Sequence, residues 1–214
     1  MQLSSIDIAA ACAAFSAIWL CGLSRLPSMC TVLAVQTLLL AAIAGMLGFT
    51  HHDVQYLVLA GVVLAVKAIA IPLFLVWTAR RLAVHRDIGM YLHPSLVLFC
   101  GCIMLAVGFF LAPQLAARTL GNPGAAGMAL TLLLIGMLVM ITRRLALSQV
   151  IGFLVLENGV FLYGLTQSHG MPLIFEMGVI FDVLVGVMIA GLVIFRLNRS
   201  FEHIDVTALR GLRH

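Results

Sequence analysis

The sequence predicts an all-α, polytopic membrane protein of about seven transmembrane helices, with a periplasmic N-terminus and a cytoplasmic C-terminus. Three observations carry this expectation. Of 214 residues, 63% are hydrophobic and 9% charged, whereas soluble domains hold about 45–50% and about 25%. Seven apolar runs, near 6–23, 29–49, 56–77, 96–116, 125–141, 149–165 and 172–195, reach the roughly 17–25 residues that cross the hydrocarbon. The basic residues gather after the odd-numbered runs, as cytoplasmic loops require: Arg25 after the first, Arg80, Arg81 and Arg86 after the third, Arg143 and Arg144 after the fifth, and Arg196, Arg199, Arg210 and Arg213 after the seventh.

Taken in order, the runs are separated by turn-forming clusters. These are Leu26-Pro27-Ser28, His51-His52-Asp53, His93-Pro94-Ser95, Gly121-Asn122-Pro123-Gly124 and Gly170-Met171-Pro172. The opening residues Met1-Gln2-Leu3-Ser4-Ser5-Ile6-Asp7 lack a basic stretch, so the first run is expected to stay in the membrane rather than be cleaved as a signal. The third run contains Lys67 and, five residues on, Pro72, which is expected to release the carbonyl of Ala68 and kink the helix. The sixth run carries Glu157 and the seventh Asp182. At about 1.5 Å per residue from the run ends, all three ionisable groups fall near the bilayer centre. Glu176 falls near the periplasmic surface.

An acid at mid-membrane costs about 2.5–3.5 kcal/mol on the insertion scale and marks a functional site by default. The apolar residues around Glu157, each contributing roughly −0.3 to −0.6 kcal/mol, offset one such group. Lys67, Glu157 and Asp182 are therefore the candidate proton-path residues, with Lys67 expected to meet a carboxylate. A buried cation bonded to one acid is also what a purely structural pair looks like. Asn158 points about 100° from Glu157 on the same helix and is expected to pack between helices.

Other features have plainer readings. Cys12, Cys21, Cys30, Cys100 and Cys102 lie in or beside apolar runs and act as small hydrophobes. His51-His52-Asp53 has too few ligands for a metal site. The net charge of +4 is spread through loops, so no nucleic-acid partner is expected. No nucleotide loop, nucleophile elbow, zinc motif or iron–sulfur spacing occurs, so catalysis by this chain alone and a cofactor of its own are not expected.

Several stretches carry a resemblance: Arg143-Arg144, Ile151-Gly152, Leu156-Glu157-Asn158-Gly159, Asp182 with Gly186, Arg196, and Asp205-Val206-Thr207-Ala208-Leu209-Arg210-Gly211. With Gln36 and Lys67-Ala68-Ile69-Ala70-Ile71-Pro72, the whole chain resembles hydrogenase-4 component E, a membrane subunit of group 4 nickel–iron hydrogenase and formate hydrogenlyase complexes. From residue 120 on, it is similar to subunit K of NADH-quinone oxidoreductase. This divides the chain into an N-terminal four-helix region, 1–119, and a three-helix region with a cytoplasmic tail, 120–214. Subunit K carries two intramembrane glutamates of a proton path. The second falls on Asp182; the first falls on Leu154, with Glu157 one turn further on. Gln36, through this resemblance, joins Asn158, a hydrogen-bonding amide beside Glu157, and Glu176, near the periplasmic surface, as accessory candidates. It implies a non-catalytic subunit of the bacterial inner membrane, beside antiporter-like and other membrane-arm subunits and a peripheral hydrogenase module. The nickel–iron centre and iron–sulfur clusters would lie in those partners. A subunit of a multi-chain cation/proton antiporter and an inert membrane scaffold are the alternatives.

Overall fold

The computed structural model describes residues 5–81, 91–117 and 122–167, and beyond them only 178, 185–187, 189 and 191. Every described element is helical: α1 (Ser5–Gly22), α2 (Leu26–His51), α3 (Val54–Val62), a π-helical segment (Val63–Ala70), α4 (Ile71–Arg81), α5 (Pro94–Ala117), α6 (Pro123–Thr142) and α7 (Ala146–Gln167). α3, the π segment and α4 run on as one span. Among the described residues there are thus six spans long and apolar enough to cross a membrane, and the chain is an all-α, multi-pass membrane protein. The few described residues of the seventh run are helical, with Val185 and Ile189 buried. Asp182, Glu176 and the tail lie outside the described residues.

α2, α5 and α6 begin earlier than their apolar runs because the prolines counted as breakers start them. Pro27 and Pro123 occupy the first turns of α2 and α6, and α5 opens on Pro94. A helix's first N–H groups have no internal acceptor, so proline's missing N–H costs nothing there. The pair His52 and Asp53 likewise serves a turn. His52 closes α2 in the left-handed region (φ 52°) and donates its N–H to Gly48 O, while Asp53 caps α3 by accepting from Gln55 N at 2.9 Å. The tight α2–α3 hairpin brings Leu57 so close to Gly48 that a Cβ there would lie 2.9 Å from its side chain.

Two ties fix which helix ends share a side. Arg143, wholly buried just after α6, donates from Nη2 to Cys21 O at 3.0 Å and Leu23 O at 2.7 Å, capping the end of α1. At the opposite end Asn122 donates to Asp7 Oδ1 at 2.7 Å and accepts at its own carbonyl from Gln167 Nε2 at 2.8 Å. α1 and α6 are therefore parallel, with α7 antiparallel to both. Tyr91 N donates to Thr142 O, which sets the start of α5 beside the end of α6. Arg25, Arg80, Arg143 and Arg144 consequently share one end of the bundle, as their spacing in the sequence requires. Arg143 is nonetheless a buried cap and not a solvated loop charge. Replacing it with alanine is expected to lower stability by about 3 kcal/mol, since bonds from a charged donor are each worth about 1.5–3 kcal/mol; unfolding in mixed detergent micelles measures this.

The tightest packing is between α6 and α7, where lipid supplies no hydrophobic force and close backbone approach must do the work. A Cβ on Gly152 would lie 2.9 Å from Met140 N and 3.0 Å from Gly136 O, and one on Gly159 would lie 2.7 Å from Leu133 N. α1 and α2 complete the inner bundle. α3, the π segment and α4 pack along α2, while α5 packs on α6 and α1.

Candidate functional site

Gly152 and Gly159 fix the rotation of α7, because their stripe must face α6. Glu157, two residues before Gly159, is turned about 200° from that stripe, away from α6 and toward the π segment. Phe161, one turn on, shares its direction.

The π segment supplies the partner. In regular α winding, the Pro72 ring would collide with the carbonyl four residues back, that of Ala68. Winding with five-residue hydrogen bonds widens the turn: Ile71 N donates to Val66 O. By the same count Pro72's missing N–H falls opposite the carbonyl of Lys67 rather than that of Ala68, the position expected for α winding. The expected kink is thus a run of π-helix, a rare geometry found mostly at functional sites. Lys67 sits within it. Its inward face consists of Val63, Lys67 and Ala68, whereas Leu64, Val66 and Ile69 are exposed.

Lys67 Nζ lies 2.6 Å from Glu157 Oε1, as a hydrogen bond and an ion pair. The ammonium also stands 5.6 Å from the centroid of the Phe161 ring, a distance at which the ring face attracts a cation. Lys67 is 5% exposed and Glu157 2%. Lys67 is the middle residue of the span Val54–Arg80, and Glu157 lies at the middle of Ala146–Gln167. Both groups are therefore at half-depth, where each alone would be most costly. The pair resolves that cost and leaves a proton donor and an acceptor in direct contact.

A second polar cluster abuts the first. Asn158 Nδ2 donates to Gln36 Oε1 at 3.0 Å and to Thr37 Oγ1 at 3.2 Å. Gln36 Nε2 in turn donates to Ala13 O at 3.1 Å and Ser16 Oγ at 3.3 Å. The hydroxyls of Ser16 and Thr37 donate to Ala13 O and Leu33 O. One amide thus joins α7 to α2, and the other joins α2 to α1. This cluster fixes the three helices in rotation, and so keeps Glu157 turned toward Lys67. Intramembrane hydrogen bonds average about 0.6 kcal/mol each and reach about 1.7 kcal/mol. Asn158→Leu is therefore expected to cost about 1–2 kcal/mol in a detergent-unfolding titration, with Gln36→Leu similar.

The structure thus brings together Lys67 and Glu157, sets Gln36 and Asn158 beside them, and places Leu154 among apolar neighbours at 3% exposure. Sequence reasoning missed the buried role of Arg143 and the π winding. The proline five residues after Lys67 was the available signal for the winding. Among the described residues no group of three or more His, Cys, Asp or Glu side chains is placed to hold a metal.

Fold and site define a class: a multi-pass helical membrane protein with an ion pair joining two spans at half-depth. The chain belongs to the family of the uncharacterised protein Rv0085 of Mycobacterium tuberculosis, with which it is 31% identical over 214 residues, covering 97% of this chain and 96% of the relative. It is more distantly similar to hydrogenase-4 component E of Escherichia coli and of Shigella flexneri, at 25% identity over 185 residues and 86% of each chain. No family model matches the chain, and no solved structure matches it.

Proposed function

We propose that the chain is a non-catalytic membrane-arm subunit of a redox-driven complex of the group 4 hydrogenase or formate hydrogenlyase type, and that it contributes a proton site to that complex. The observation that carries the reading is the Lys67–Glu157 pair at half-depth. One proton crossing the 2.6 Å bond interconverts an ionised and a neutral pair. A further proton on Glu157 leaves the ammonium uncompensated in lipid, a state favoured only when a neighbouring group takes up charge. Asp182 is proposed as that second acid, and Glu176 as an accessory at the periplasmic surface. The similarity to hydrogenase-4 component E supports the choice of complex. The arginine-rich end is assigned to the cytoplasm by the distribution of positive charge, which puts the N-terminus in the periplasm of a bacterial inner membrane. Residues 1–119 and 120–214 are the two regions of the proposal, with antiporter-like subunits and a peripheral hydrogenase module as partners. The nickel–iron centre and iron–sulfur clusters belong to those partners.

The test is substitution within the purified complex in proteoliposomes. Glu157→Gln and Asp182→Asn are expected to leave the partners co-purifying and to lower coupled proton uptake by at least roughly tenfold, a barrier rise of about 1.4 kcal/mol. Unimpaired uptake in both variants, or co-purification without any redox module, overturns the reading.

A further inference from the structure

The π segment has features that a static helix does not need. Eight residues of five-residue winding hold about one residue more than an α-helix of the same rise would, an insertion of a kind found mostly at functional sites. The segment packs against α2 on its inner side, while Leu64, Val66, Ile69 and Gly61 are exposed on its outer side. A Cβ added at Gly61 would meet nothing within 4 Å, so the outer side next to the segment is open. Lys67 reaches across to α7, and its bond to Glu157 is a side-chain tie on the segment from the α7 side. The winding and the tie therefore act on the same residue.

We propose that the π segment is a sliding register which places Lys67 on Glu157 or withdraws it, according to whether Glu157 carries its negative charge. This rests on the proton-site reading above and names the regulation of that site. While Glu157 is charged, the ion pair holds Lys67 inward and the extra residue stays where it is. When the charge is lost, the extra residue passes Lys67 along the helix. Each residue passed turns by about 100° and moves about 1.5 Å, so Lys67 leaves the position opposite Glu157, and its apolar neighbour Val66 or Ala68 turns into that position. α3 before the segment and α4 after it keep their positions, because the change is confined between Val62 and Ile71. The Lys67 ammonium meets the Glu157 carboxylate and the Phe161 ring across this gap, both on α7, and the neighbouring Asn158 and Gln36 are engaged with one another. The result is a contact that opens and closes with the charge on the acid. A relay needs this if a proton is not to return the way it came.

The experiment is a nitroxide scan of the full chain within its complex in bilayers, with the native cysteines replaced and a single label walked from position 58 to 75, omitting 67. Oxygen accessibility reports the face each position shows to lipid. In the parent, the maxima are expected to follow the exposed positions Leu64, Val66 and Ile69, with a stretched period between 63 and 70. In Glu157→Gln the maxima within that stretch are expected to move by one residue, while those at 58 and 73 stay in place. An unchanged phase in Glu157→Gln overturns the proposal. Deleting Ala65 removes the extra residue; the period is then expected to be regular throughout and insensitive to Glu157→Gln, with coupled proton uptake falling at least roughly tenfold in a complex that still assembles. Full uptake in the deletion variant also overturns it. Should the parent complex translocate no protons, the function proposed above fails, while the label scan still decides whether the register responds to Glu157.

Discussion

Lys67→Met is expected to destabilise the folded chain by about 3–5 kcal/mol, because it leaves the Glu157 carboxylate buried without its cation. Glu157→Leu alone should cost a similar amount by stranding the ammonium. The double variant should recover most of the loss, since apolar residues of similar volume replace a buried pair at little or no cost in stability. Detergent-unfolding titrations of the four proteins close the cycle, and a coupling energy below about 1 kcal/mol would contradict the 2.6 Å bond. The same four proteins separate function from structure. If the pair only holds the helices together, the double variant regains proton uptake along with stability. If it carries protons, stability returns and uptake does not.

Gly152→Val has the second large expected effect. Its side chain would be driven into Met140 N and Gly136 O, backbone atoms 2.9 and 3.0 Å from even the first added carbon and so inside van der Waals contact, and no rotamer change relieves it. The expected cost is about 3–5 kcal/mol, at the upper end for overpacking. Because α7 must move away from α6, Asn158 also loses its register on Gln36 and Thr37. Gly61→Ala, where an added Cβ meets nothing within 4 Å, is the control and should be neutral or slightly stabilising. Equal losses at both positions would show that the α6–α7 contact is looser than described.

The spans were legible because their signals are local. Run length and composition gave the six described spans, and alternating charge gave the shared end of Arg25, Arg80 and Arg144. Helix ends were less legible, because proline reads as a breaker by composition yet starts a helix when it falls in the first turn. Lys67 and Glu157 stood out as ionisable groups in apolar runs, but which acid the lysine meets depends on the rotation of α7, set by Gly136, Gly152 and Gly159 against α6. No single-residue signal carries that information. Arg143 read as a loop charge for the same reason: its acceptors, the carbonyls of Cys21 and Leu23, lie some 120 residues earlier in the chain. The bridge from Asn158 through Gln36 to Ser16 likewise joins three helices distant in sequence. Gln36 drew notice only through family resemblance.

The two ties on α1 also bear on the order in which the protein is made. Asp7 finds Asn122, and the carbonyls of Cys21 and Leu23 find Arg143, so neither of these two ties can form until more than half of the polypeptide has left the ribosome. During that interval α1 must be held by the insertion machinery or by its hairpin with α2, with Asp7 and its last carbonyls facing water at opposite membrane surfaces. Chains truncated before Asn122 should therefore insert yet remain sensitive to membrane proteases, and resistance should appear only once synthesis has passed Arg143 and α7 has followed it into place.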